Sequence, residues 1–103
     1  MIKVFLTGFI VQDADIKEVG NRKAINIRIV VPLEPGKDGQ DRTEWVRAVI
    51  WKYDGQSTKI ADYLKKGRKV LIEGIPAAEC YTDKEGGTHA NLHINIKDLE
   101  FLD

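Results

Sequence analysis

The chain has 103 residues, 43% hydrophobic and 31% charged, with 16 basic and 16 acidic side chains and a formal net charge of zero. This length supports one core, expected as a single domain over residues 1–103, and the composition excludes a disordered or fibrous chain. No apolar run approaches the roughly 20 residues of a membrane span and the first residues do not read as a secretory signal, so a cytoplasmic protein without a membrane partner is expected.

The first stretch, "IKVFLTGFIVQ" (2–12), alternates Ile2, Val4 and Leu6 against Lys3, Phe5 and Thr7, the period-two pattern of a half-buried strand. "VGNR" is a hairpin signal, after which "KAINIRIVV" (23–31) sets Ile25, Ile27, Ile29 and Val31 on one side and Asn26, Arg28 and Val30 on the other. "PLEPGKDGQD" (32–41) has two Pro, two Gly and no period, and is read as a loop. "TEWVRAVIW" (43–51) is the third strand, with Val46, Ala48 and Ile50 inward and Trp45, Arg47, Val49 and Trp51 outward.

The period then changes. In "DGQSTKIADYLKKG" (54–67), Ile60, Ala61 and Leu64 share a helical face and Asp54 or Ser57 can cap the first turn. Lys65 and Lys66 suit the negative end of the dipole, and Gly67 the left-handed residue that ends a helix. "RKVLIEGIP" (68–76) returns to strand and is expected to end near Pro76. "ECYTDKEGGTHA" reads as a hairpin with its tip at 83–87, and "ANLHINIKDLEFL" turns Leu92, Ile94 and Ile96 inward, His93, Asn95 and Lys97 outward.

Three strands, one short helix and two strands match the five-stranded Greek-key barrel called the OB-fold, with the helix between strands three and four. Closure also removes exposed strand edges. A small antiparallel sandwich would give similar strands but would not require one helix at that place.

Charge is unevenly spread: residues 1–41 sum to 0, residues 42–69 to +5 and residues 70–103 to −5. The basic centre contains both tryptophans, six positions apart with Arg47 between them on one face. The two indoles either cover a second apolar layer, such as the helix or a neighbouring subunit, or serve as platforms on which unpaired bases stack. Six strand residues span about 20 Å, so the rings would serve separate nucleotides, with Arg47 free to bind the connecting phosphate. Asn26 and Arg28 extend the same polar face.

Signals for catalysis are absent. His89 and His93, four apart in a strand, would lie about 13 Å apart, too far for one metal. "DKEGG" lacks calcium-loop ligands, no phosphate-binding glycine loop precedes a helix, and Ser57 has no histidine near it in sequence. The single cysteine, Cys80, rules out an internal disulfide and is read as a packing residue. No enzyme, cofactor or metal is expected.

"VFLTGFIVQD", "AINIRIVV", "TEWVRAVIW", "IADYLKKGRKVLIEG" and "LEFLD", in this order and spacing, resemble the bacterial single-stranded DNA-binding proteins over roughly Ile2 to Leu102. The resemblance implies a homotetramer of OB-folds, or as the smaller alternative a dimer, that covers single-stranded DNA with little sequence preference in replication, recombination and repair. Trp45 and Trp51 match stacking aromatics of that family, and Tyr81 matches a third, usually Trp; a hairpin-packing role for Tyr81 is the alternative. Arg28, Arg47, Lys52, Asn26 and Lys3 are the expected phosphate and polar contacts.

Departures from the family pattern are specific. Pro35 stands where many members have a loop Trp; Ala77, Ala78, Glu79 and Cys80 replace a basic run; Val46 stands for a His and Val11 for a Gly. Family members also carry a flexible tail with an acidic tip that recruits replication and repair enzymes, and nothing like it is read up to Asp103. These losses keep open a rival reading, a primosomal-protein-like OB-fold that binds mainly protein.

Overall fold

The computed structural model describes the backbone of residues 1–103 and all side chains except those of Glu79, Cys80, Tyr81, His89 and Ala90. Six strands form one sheet: β1 (Val4–Ile10), β2 (Asp15–Val19), β3 (Arg22–Leu33), β4 (Arg42–Tyr53), β5 (Lys69–Thr82) and β6 (Thr88–Phe101). They lie in the order β1-β5-β6-β4-β3-β2, and β1 also pairs with β3, closing β1, β3, β4, β6 and β5 into a five-stranded barrel. β4 and β6 run parallel from Val46 opposite Leu92 to Val49 opposite Asn95, while the other pairings are antiparallel. This is the expected OB-fold, with β2 added as an arm on β3.

Closure depends on a small residue in β1. A Cβ on Gly8 would lie 2.5 Å from Cγ2 of Ile29 and 2.6 Å from the carbonyl oxygen of Val30, so only glycine lets β1 come this close to β3. Inside, Ile10, Ile25, Ile27, Ile29, Val46, Ala48, Ile50, Val70, Ile72 and Ile94 form the core, with Ala61 and Leu64 plugging it from the β4–β5 connection. The alternation read for β3 and β4 is therefore the one observed. Ile2 differs: it precedes β1 and is exposed, since the strand that would turn it inward begins at Val4.

Two further differences have physical causes. The expected helix is a 3-10 turn over Lys59–Tyr63, held by i to i+3 bonds such as Ala61 N–H to Thr58 O at 3.0 Å; Thr58 occupies the N-cap position without a side-chain bond, and Ser57, one of the two expected caps, accepts the N–H of Lys59 on its Oγ at 3.2 Å. The stretch between Gly55 and Gly67 is too short to repay helix nucleation and needs only to place Ala61 and Leu64. Gly67 has φ 94°, the left-handed value expected of it. β5 runs through Pro76, opposite Ile94, to Thr82, because a bulge at Glu73/Gly74 re-aims the strand before the residue that lacks a donor. The hairpin tip falls at 83–87 as read, where Asp83 Oδ1 accepts from the backbone N–H groups of Glu85 and Gly87 at 3.0 and 2.7 Å.

Candidate nucleic-acid interface

The core claims the even positions of β4, so residues 45, 47, 49, 51 and 53 face outward. β3 sets Arg28 directly opposite Arg47, Asn26 opposite Val49 and Ala24 opposite Trp51. β6, on the other flank, sets His93 beside Arg47 and Asn95 beside Val49. Over these strands lies a groove of about 610 Å³, walled by Asp15 and Lys17 of the β2 arm and by Asn91 and His93 of β6, with Asn26, Arg28, Arg47, Val49 and Trp51 among its lining residues. Val49 is only 2% exposed, so the groove has an apolar floor although it lies outside the barrel.

The two indoles are presented differently. Trp45 is 56% exposed and borders a dip of about 60 Å³ that shares Arg28, Arg47 and Asn91 with the groove. Trp51 is half-buried: its Nε1–H donates to Asn95 Oδ1 at 3.2 Å, and the guanidinium carbon of Arg22 lies 4.4 Å from its ring centroid. Trp45 is thus an open platform, whereas Trp51 is fixed at two points and still lines the groove.

Electrostatics favour an anion between the rings. Arg28 and Arg47 are exposed and directly opposed across adjacent strands, a placement that is unfavourable by itself because like charges face each other. Among the described residues neither takes part in an ion pair. Lys17 adds a third cation to the groove and Asp15 one carboxylate. Two guanidinium forks with free donors can bind a phosphate bidentately while the apolar floor and the rings take bases.

Asn26, Arg28, Arg47 and Trp51 are therefore brought together along one groove, with Trp45 on the adjoining dip. Lys52 is not: it lies on the even face of β4 opposite Lys23 and does not line the groove. Lys3 stands beside β5, its ammonium bound to Glu73 at 2.9 Å. The Tyr81 side chain lies outside the described residues; its backbone pairs with His89 near the hairpin tip. Sequence reading missed Arg22, Lys17, Asn95 and Tyr53. Of these only Tyr53 left a signal, since it shares the parity of Trp51. Among the described residues no group of three His, Cys, Asp or Glu is placed to hold a metal, and no helix is long and apolar enough to cross a membrane.

A closed Greek-key barrel of this strand order defines an OB-fold protein, here with a cationic groove on its outer sheet face. The chain belongs to the single-strand binding protein family, which it matches over residues 1–102. It is 30% identical over 104 residues to the single-stranded DNA-binding protein of Chlamydia trachomatis serovar D, covering 98% of this chain and 62% of that relative. To single-stranded DNA-binding protein 1 of Chlorobaculum tepidum it is 34% identical over 109 residues, covering 97% and 64%. The chain thus spans a little under two thirds of the length of these curated relatives. Its fold is similar to that of the Plasmodium falciparum SSB in complex with ssDNA, at 25% identity and a TM-score of 0.75 over 100% of this chain and 96% of that one. The small single-stranded DNA-binding protein of Streptomyces coelicolor, 13% identical, shares the fold with a TM-score of 0.79 over 98% of this chain and 94% of that one.

Proposed function

We propose that the groove binds single-stranded DNA with little sequence preference, bases stacking on Trp45 and Trp51 while Arg28 and Arg47 hold the connecting phosphates. The observation that carries this reading is the opposed Arg28–Arg47 pair, without an acidic partner among the described residues and lying between two tryptophans on one sheet face. Family membership and the names of the relatives support it. Stacking is tolerant of sequence because every base has a π-face. Asn26 and Lys17 add polar contacts, and Tyr81 supplies a third ring at the β5–β6 hairpin. The protein covers exposed strands in the cytoplasm during replication, recombination or repair, and carries out no reaction.

Self-association belongs to the same reading. Phe5 and Phe9 are 67% and 39% exposed on the outer face of β1. That strand pairs with β3 only at Phe9 and Ile10, leaving the Val4–Gly8 edge open. A second copy added at this edge covers both, and a homotetramer built from such pairs is the expected state. Sedimentation velocity reads it directly: Phe5→Asp lowers the assembly to a smaller species, and an unchanged sedimentation coefficient rejects the interface.

Titration with oligo-dT tests the binding reading. Tryptophan emission is quenched at low salt, and log affinity falls with log salt at a slope of about −3, the value for four cations on a single strand. No quenching at low salt rejects the reading and favours a module that binds mainly protein. A slope near −8 rejects the contact set.

A further inference from the structure

A second concavity, of about 310 Å³, opens where the β2–β3 turn meets the end of β4. Arg22 and Tyr53 line it together with Glu18 and Asp54 and do not line the main groove; Trp51 lines the groove and not this cleft. The Arg22–Trp51 stack is thus the partition between the two spaces. Tyr53 lies directly opposite Arg22, on the outward face of β4 two residues beyond Trp51, and is 58% exposed. Strand geometry puts the two residues about 7 Å apart along β4, with Arg22 opposite Tyr53 and its guanidinium over the Trp51 ring.

Arg22 is built for this position. A guanidinium held over an indole face still has N–H donors to offer a further acceptor. Among the described residues Arg22 makes no ion pair, although two carboxylates line the same cleft. Glu18 and Asp54 balance Arg22 and Lys23 among the lining residues, so the cleft carries no net charge to draw phosphate into its interior, and the two carboxylates accept hydrogen bonds from the N–H edge of an uncharged base. The chemistry therefore sorts one nucleotide into two parts, its base inside against Tyr53 and its phosphate on the rim at Arg22.

We infer that the cleft is a further nucleotide subsite, with Tyr53 as its stacking ring and Arg22 as the phosphate contact where the strand crosses from Trp51. This rests on the single-stranded DNA reading and extends its path by one base beyond the second tryptophan.

The test is photocross-linking of the full chain to oligo-dT in which thymidines are replaced by 5-iododeoxyuridine, with adducts mapped by mass spectrometry. Adducts are expected on Tyr53 as well as on Trp45 or Trp51. In parallel, Tyr53→Ala lowers affinity for a long oligo-dT at least about fivefold. Tyr53→Phe, which keeps the ring, retains it, and Arg22→Ala reduces the salt slope by about 0.7. Adducts on the tryptophans with none on Tyr53, and wild-type affinity in Tyr53→Ala, overturn the subsite while leaving the groove reading intact. Adducts on none of the three rings overturn both. Because Tyr53 is mostly exposed, its truncation removes little packing, and a melting temperature matching wild type excludes misfolding as the source of a loss.

Discussion

At the level of single residues, the two tryptophans make unequal claims. Trp51 is held by Asn95 and backed by Arg22, so a base that stacks on it meets a ring already fixed in place, with little ordering left to do. Trp51→Ala is therefore expected to weaken oligo-dT binding by about 1–3 kcal/mol with an unchanged circular dichroism spectrum. Asn95→Ala, which frees the indole edge and keeps the ring, has a smaller effect of the same sign. Unchanged affinity in Trp51→Ala identifies the indole as structural. The parity that places Trp45, Arg47 and Trp51 on one face is readable from "TEWVRAVIW", because β4 alternates cleanly. The anchoring of Trp51 is not, since Asn95 lies 44 positions along and is set beside β4 by the parallel β4–β6 pairing.

Among the elements, β1 illustrates how closure constrains sequence. With the hypothetical Cβ of Gly8 2.5 Å from Ile29 Cγ2, Gly8→Ala overpacks the β1–β3 seam and is expected to cost about 1–3 kcal/mol in thermal or urea unfolding. A variant as stable as wild type contradicts the tight seam. β3, β4 and β6 were readable because one side of each faces the core. β2 was not: each of its five residues is exposed, including Ile16 and Val19, so no face is selected and no alternation marks it. It exists because the turn at Gly20, φ 64°, folds "DIKEV" back onto β3 and backbone pairing does the rest. The one short helix expected after β4 is present, but its 3-10 type was not readable, since Ile60, Ala61 and Leu64 satisfy either helical geometry over so few residues.

Across the whole molecule, the basic centre of the sequence does not become a basic face. Of its eight cationic residues only Arg47 lines the groove. Lys65 approaches Asp13 at 3.8 Å, and Arg68 binds Asp103 at 2.9 Å while its guanidinium lies 3.8 Å from the Phe101 ring centroid. The other groove cations, Lys17 and Arg28, come from the segment whose charges cancel in sequence. Linear charge counts therefore misplace the field that the fold assembles. Hydrogen bonds from Arg68, and then its charge, hold the Asp103 carboxyl below the usual carboxylate range, while desolvation opposes them. A depressed folded pKa stabilises above the unfolded value, and the contribution disappears as pH falls through the lowered one. Asp103→Asn is thus expected to melt below wild type at neutral pH and together with it once the medium is acid enough to protonate the wild-type carboxyl. A gap that persists in acid shows that the pair acts through shape and not through charge.

β2 hangs from β3 alone and has no buried residue, yet it supplies one wall of the groove. Its amides should exchange with deuterium through local opening well before those of the barrel. On the proposed binding mode, a rim held by one neighbour can yield to a purine and settle back around a pyrimidine, so tolerance of base identity would originate in this strand as much as in the rings.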